Sequence, residues 1–147
     1  AEFDLSEAVA ESVQPYGALA QTKEKHLTLN IEGGLMYTGD EKSIRQLSGI
    51  LMDNAVKYCG ENGEIRLSVW KKGKNTMLSV YNTTQEMKKE NLNHLFDRFY
   101  RTDASRNSQT GGYGIGLSIA KAVTTAHKGK IQASSEDGKS LLITVTL

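Results

Sequence analysis

Residues 111–123 of this chain read Gly111-Gly112-Tyr113-Gly114-Ile115-Gly116-Leu117-Ser118-Ile119-Ala120-Lys121-Ala122-Val123. Four glycines fall within six residues, and an amphipathic helical pattern starts directly behind them. Glycines let a ligand approach the main chain, and the following helix points its unpaired N–H groups and positive dipole end at them. These features favour an anion site, for which phosphate is the best fit. The alternative is a flexible loop before an ordinary helix.

Two familiar phosphate loops are excluded by spacing. The chain contains no G-x-x-x-x-G-K-[ST] sequence, so it has no P-loop. The spacing Gly112-x-Gly114-x-Gly116 differs from G-x-G-x-x-G, and no buried strand pattern leads directly into it, as a dinucleotide-binding fold requires. The nature of the site must therefore be decided by the rest of the chain.

Composition describes a small globular protein. The 147 residues suit one domain, 1–147, with a real core, and 38% are apolar and 24% charged. A net charge of +1 gives no broad attraction for nucleic acid or membrane, and the single Cys59 fits a reducing compartment. No apolar run approaches the length of a membrane span. We expect a cytoplasmic fragment, excised from a longer protein, without direct membrane or nucleic-acid contact.

Hydrophobic periodicity predicts an α+β fold. The pattern alternates helices with pairs of strands, which suggests a two-layer sandwich of a mixed, mainly antiparallel sheet packed against helices. Residues 101–112 are almost free of apolar side chains and are typical of a mobile lid. The predicted helices span residues 4–25 (kinked or split at Pro15), 40–58, 90–100 and 113–127, and the predicted strands span 27–31, 35–37, 64–70, 76–81, 130–135 and 141–147.

A second group of polar residues lies near the end of the predicted 40–58 helix. Asn54, Lys57 and Tyr58 are spaced to share one side of that helix. Beside a phosphate loop they would supply an amide oxygen for a hydrated Mg²⁺, an ammonium for phosphate and an aromatic ring. The alternative is a solvated helix end, where a lysine is favourable in any case.

A third group is Leu95-Phe96-Asp97-Arg98-Phe99-Tyr100-Arg101. Arg98 or Arg101 could reach a phosphate while the aromatic residues anchor the near end of the lid. The alternative assigns the apolar members to the core and the arginines to solvent, and for Phe96 and Phe99 we favour packing.

The order of the three groups resembles the ATP-binding catalytic domain of sensor histidine kinases. The groups are similar to the N box, F box and second glycine box of that family, whose superfamily includes gyrase-type topoisomerases, a heat-shock chaperone class and mismatch-repair proteins. The resemblance runs from about Phe3 to Leu147 and includes Gly39-Asp40 and His127-Lys128-Gly129-Lys130-Ile131.

This resemblance implies a Bergerat-type sandwich that holds ATP between the N-box helix and the lid. It implies Mg²⁺ at Asn54, phosphate contacts from Lys57, and a nucleotide base or sugar near Tyr58. In such kinases the γ-phosphoryl passes to a histidine on separate dimerisation (phosphoacceptor) helices, and then to an aspartate of a response regulator. The remaining nucleotide-binding residues that it implies are one arginine, Arg98 or Arg101, and the backbone around Gly112, Gly114, Gly116 and Leu117.

The chain departs from the family at the first glycine box, usually Asp-x-Gly-x-Gly and here Asn82-Thr83-Thr84-Gln85-Glu86. Asn82 can still accept a hydrogen bond from the adenine amino group, but without a charge. We therefore expect weaker nucleotide affinity or an altered base preference. Asp53 stands where ATP-hydrolysing relatives place a glutamate base, and its alternative is an ordinary hydrogen-bonded helix residue.

No histidine of the chain has the sequence context of a phosphoacceptor. His26, His94 and His127 are each interpreted as structural or surface residues. The isolated chain is thus expected to bind nucleotide and to autophosphorylate poorly or not at all. Two other functions stay open: a degenerate nucleotide-binding module without transfer activity, and another ATPase or serine kinase of the same superfamily.

Overall fold

A computed structural model describes residues 1–85, 87–97 and 116–147 of the chain. Within these residues the helices and strands follow in the order β1 (Glu2–Asp4), α1 (Leu5–Val13), α2 (Pro15–Thr22), β2 (His26–Ile31), β3 (Met36–Thr38), α3 (Glu41–Tyr58), β4 (Glu64–Lys72), β5 (Asn75–Thr83), α4 (Lys89–His94), α5 (Gly116–Ala126), β6 (Lys130–Ser134) and β7 (Ser140–Thr146).

The helix boundaries follow local sequence signals. The Asp4 carboxylate accepts a hydrogen bond from the Glu7 N–H (3.0 Å) and caps α1, and Asp40 caps α3 in the same way through Ser43. The Ser43 hydrogen bonds lower the pKa of Asp40. Pro15 stands at the first position of α2, so it divides the predicted 4–25 helix in two. The division at Pro15 agrees with the sequence prediction.

The main sheet has five strands in the order β2-β4-β5-β7-β6. Strand β2 runs parallel to β4, and the other neighbours are antiparallel. A separate two-stranded ribbon pairs β1 with β3. The sequence analysis missed β1, because three residues carry too little periodicity to be recognised as a strand.

The core lies between one face of the main sheet and the helices. Alternate residues of β4, such as Ile65 and Leu67, are fully buried beneath α3, which contributes Ile44, Leu47 and Leu51. Helix α3 packs against both α1 and α5. The structure is therefore the predicted α+β sandwich, with a mixed sheet on one side and helices on the other. No helix of the described residues is both long and apolar enough to cross a membrane.

One predicted helix is shorter than expected. The 90–100 prediction corresponds to α4, which ends at His94. The chain turns there, because the Asp97 N–H donates to the His94 carbonyl (3.0 Å) and the Asp97 carboxylate lies 2.8 Å from the His94 ring. Leu95 is thereby buried. The last residues of that prediction, 98–100, lie outside the described residues, as do the predicted lid, 101–112, and the first residues of the predicted 113–127 helix.

Candidate nucleotide-binding site

The last two turns of α3 carry the polar side chains that the sequence analysis selected. Asn54 is only 9% exposed, yet its amide forms no hydrogen bond to any described residue. Burying an unpaired amide costs about 1–3 kcal/mol. No fully buried polar side-chain atom in the described part of the chain lacks a partner, so the amide of Asn54 keeps an open side. An amide held at the edge of the core but open on one side suits a ligand.

Lys57 and Tyr58 share this side of α3. Both side chains are half-buried, and neither forms a hydrogen bond or ion pair with the described residues. Their spacing of three and four residues from Asn54 places all three within one helical turn of one another. The structure therefore leaves an amide, an ammonium and a phenol ring together without partners among the described residues.

The end of β5 lies directly beside the end of α3. The Gly60 N–H donates to the Thr83 carbonyl (3.0 Å), and the Glu64 N–H donates to the Thr83 hydroxyl (2.9 Å). Gly63 is required for this approach, since a Cβ there would lie 2.5 Å from the Cys59 sulfur. The buried Cys59 thiol has a raised pKa because burial disfavours its thiolate. These contacts bring the N-box segment, at the end of α3, beside the first-glycine-box segment, at the C-terminal end of β5.

Asn82, near the C-terminal end of β5, lies on the face of the sheet that is covered by the helices. It is 1% exposed and stands in register between Ile65 and Leu141. Its Nδ2 donates to the Thr83 carbonyl (3.0 Å), while no described residue donates to its Oδ1. The amide is therefore turned so that its acceptor side is the available one.

The segment after Asn82 is attached to the β6–β7 turn. The Thr84 N–H donates to the Lys139 carbonyl (2.9 Å), and the Met87 N–H donates to the Gly138 carbonyl (2.7 Å). Thr84 does not adopt a positive φ, so a glycine is not needed at this position of the box. Glu86, which replaces the second glycine, lies outside the described residues.

Asp53 faces away from this group, towards α2. Its carboxylate accepts a hydrogen bond from the Tyr16 hydroxyl (2.6 Å), which also lies 3.2 Å from the Gly49 carbonyl. Burial, followed by the bond to Asp53, raises the pKa of Tyr16 well above its ordinary value. No local sequence pattern indicates this partner, which is 37 residues away. A catalytic role for Asp53 stays a prediction.

Helix α5 brings the last glycine of the second glycine box to α3. A Cβ at Gly116 would lie 3.6 Å from the Ile50 side chain, which is one helical turn from Asn54. Leu117 is half-buried against the core. The start of α5 and the Asn54 side of α3 are thus neighbours. The other predicted ligands, Arg98, Arg101, Gly112 and Gly114, lie outside the described residues.

The opposite ends of these two helices are joined by His127. Its Nδ1 lies 2.8 Å from the Val123 carbonyl, and its Nε2 accepts a hydrogen bond from the Asp40 N–H (3.1 Å). Its ring also contacts Tyr37. In this arrangement Nδ1 is the ring's donor and Nε2 its acceptor. It explains why Gly39-Asp40 and His127, 87 residues apart, belong to one structural motif.

Sequence reasoning also missed Lys25. Its ammonium donates to the Val56 carbonyl (2.8 Å) and to the Cys59 carbonyl (2.9 Å), at the C-terminal end of α3. No motif near Lys25 indicates this contact, since its partners lie 31 and 34 residues away.

No group of three or more His, Cys, Asp or Glu side chains in the described residues is placed to hold a metal ion. A Mg²⁺ bound mainly by phosphates and water does not need such a group, because it takes few protein ligands. The amide of Asn54 fits that requirement.

Comparison with known proteins agrees with this arrangement. Residues 39–147 match the family described as histidine kinase-, DNA gyrase B-, and HSP90-like ATPase. The chain is 36% identical over 127 residues to the phosphate regulon sensor protein PhoR of Pseudomonas aeruginosa, covering 86% of this chain and 29% of PhoR. It is 39% identical over 111 residues to the sensor histidine kinase YkoH of Bacillus subtilis, covering 76% of this chain and 24% of YkoH.

Solved structures show the same fold. The catalytic domain of histidine kinase ThkA in a nucleotide-free form superimposes with a TM-score of 0.85 at 21% identity, covering 100% of this chain and 93% of that one. The chain spans about a third or less of the curated relatives it matches. On the family match and the sequence relatives together, the chain belongs to the histidine kinase-, DNA gyrase B- and HSP90-like ATPases, as an ATP-binding catalytic domain of the sensor histidine kinase type.

Proposed function

We propose that this chain is one catalytic domain of a longer sensor kinase, and that it binds Mg-ATP between the end of α3 and the start of α5. The proposal rests chiefly on one observation: Asn54 is buried at 9% exposure without a hydrogen bond to the described residues. An amide that the protein leaves unpaired on an open side is available to a ligand. The start of α5, at Gly116, lies beside Ile50, which is one turn of α3 from Asn54.

The proposed roles follow from the chemistry of each group. Asn54 would ligate Mg²⁺ through its amide oxygen, and Lys57 would contact phosphate. Tyr58 would lie beside the sugar or base. Bound Mg²⁺ would offset the phosphate charge during transfer of the γ-phosphoryl, a reaction that depends on positioning and electrostatics rather than covalent work by the protein. Further phosphate contacts are proposed for one arginine, Arg98 or Arg101, and for the backbone around Gly112, Gly114, Gly116 and Leu117.

Asn82 is proposed to contact the base. Its Oδ1 can accept a hydrogen bond from an exocyclic amino group, and its Nδ2 is already used by Thr83. Rotating the amide to offer Nδ2 to a carbonyl-bearing base would break that bond. The site should therefore still prefer adenine over guanine, although a neutral acceptor binds the amino group more weakly than a carboxylate.

The partners are proposed from the relatives, which are sensor proteins. The γ-phosphoryl would pass to a histidine on the dimerisation helices of the parent protein, and from there to a response regulator. The isolated chain would be monomeric, and the parent would be membrane-anchored with this domain in the cytoplasm.

The experiment mixes the chain with a protein that carries the dimerisation helices of its parent, in the presence of Mg²⁺ and γ-labelled ATP. Label on the helix histidine is expected, and the Asn54→Ala chain serves as the inactive control. Calorimetric titration of the chain with Mg-ATP accompanies it. A chain that binds no nucleotide would refute the proposal.

A nucleotide-binding module without transfer activity is the second candidate. The observation that favours it is the altered first glycine box, in which Thr84 and Met87 attach the segment to the β6–β7 turn. Nucleotide binding without label on the histidine, also in the intact parent protein, would establish this function instead.

A further inference from the structure

The proposed nucleotide site lies at the electrostatically unfavourable end of α3. Asn54, Lys57 and Tyr58 occupy the last turns of a helix that ends at Tyr58. The C-terminal end of a helix presents unpaired carbonyls and about half a negative charge. Lys57, the proposed phosphate contact, lies in this last turn, so a phosphate held there would be repelled unless the carbonyls are neutralised.

Lys25 supplies a positive charge at this point. Its ammonium donates to the carbonyls of Val56 and Cys59, at 2.8 and 2.9 Å. No carboxylate of the described residues lies within ion-pair distance of Lys25, so its charge is not consumed by a local acid. The helix end and the lysine therefore form a neutralised pair.

The backbone around Lys25 sets the position of this charge. The Lys25 N–H donates to the Ala20 carbonyl (2.8 Å) at the end of α2, and Glu24 adopts a positive φ of 56°. The next residue, His26, donates its N–H to Gly63 (2.9 Å) as β2 begins to pair with β4. The lysine is thus held from both sides, by a helix end and by a strand start.

We propose that Lys25 is a positioning residue that neutralises the carbonyl end of α3, and that it strengthens nucleotide binding in proportion to the negative charge of the nucleotide. This inference depends on the proposed function, since it assumes a phosphate-bearing ligand at that end of α3. A purely structural cap would behave differently, because loss of a cap would weaken binding of every nucleotide equally.

The test measures the affinity of the chain for ATP, ADP and AMP by calorimetry in excess Mg²⁺, at low and high salt. Lys25→Met should weaken ATP binding about tenfold, which corresponds to about 1.4 kcal/mol. The loss should be smaller for ADP and smallest for AMP, and all losses should shrink at high salt because salt screens the charge.

Arg45→Met is the matched control. It removes a cation from the first half of the same helix, where Arg45 pairs with Glu11 and Glu41. The affinities of Arg45→Met for ATP, ADP and AMP should equal those of the unaltered chain. Lys25→Gln, which keeps a donor but not the charge, should repeat the graded loss and replaces Lys25→Met if that variant does not fold.

The outcomes separate the two proposals. If the unaltered chain binds ATP and the Lys25 variants lose the same affinity for all three nucleotides, or lose no affinity, the charge-neutralising role is refuted and the proposed function stands. If the unaltered chain binds none of the nucleotides, both are refuted.

Discussion

Replacement of Asn54 by alanine should weaken nucleotide binding without lowering the stability of the fold. Asn54 forms no hydrogen bond to the described residues, so the substitution breaks none of them. Alanine is favoured over asparagine inside a helix by about 0.5–0.7 kcal/mol. The free energy of unfolding should therefore stay unchanged or rise by about 0.7 kcal/mol, which raises Tm by at most about 3 °C in a domain of this size.

The affinity of Asn54→Ala for Mg-ATP should fall, although its stability should not. Loss of the amide removes the proposed protein ligand of Mg²⁺, and we expect Mg-ATP affinity to fall at least about tenfold, or about 1.4 kcal/mol. Stability is measured by urea and thermal unfolding, and affinity by calorimetry with and without Mg²⁺. A residue that weakens the fold but is needed for binding is typical of a functional site.

Ser48→Ala is the matched control for this experiment. Ser48 is a fully buried polar residue of the same helix, and its hydroxyl donates to the Ile44 carbonyl (3.0 Å). Its replacement should leave nucleotide affinity unchanged. A fall in Tm of more than about 4 °C in Asn54→Ala, or Mg-ATP binding by Asn54→Ala as tight as that of Ser48→Ala, would contradict this role of Asn54.

Three further predictions concern the surroundings of the site. Gly63→Ala should lower the free energy of unfolding in urea by about 1–3 kcal/mol, because the new Cβ would lie 2.5 Å from the Cys59 sulfur; an unchanged midpoint would show that this contact relaxes freely. Above pH 10 the folded chain holds the Tyr16 proton that the unfolded chain releases, so the free energy of unfolding should decline as pH rises there. Tyr16→Phe, which also loses the hydrogen bond to Asp53, should flatten that decline in unfolding curves recorded from pH 8 to 12. Asn82→Asp should bind ATP more tightly in calorimetry but unfold at lower urea, since it buries a charge at a position that is 1% exposed; weaker ATP binding would argue against a base contact there.

Helix α3 illustrates what local sequence can specify. Asp40 caps its start, an apolar stripe faces the sheet, and the 3.6-residue period then places Asn54, Lys57 and Tyr58 on one side. The strand pairs are specified similarly, by alternation around short turns. The resemblance to histidine kinases depended on these same residues and their order, and the family match confirmed it.

The sequence by itself therefore determined most helices, most strands, the α+β class and the side of α3 that carries Asn54. Only the tertiary structure decided that Lys25 covers the end of that helix, that Tyr16 holds Asp53, and that His127 receives the Asp40 N–H. The physical reason is the sequence separation between the interacting residues. Capping and periodicity act over a few residues and leave local patterns, whereas contacts between residues more than thirty positions apart arise from packing of whole elements and leave no local signal.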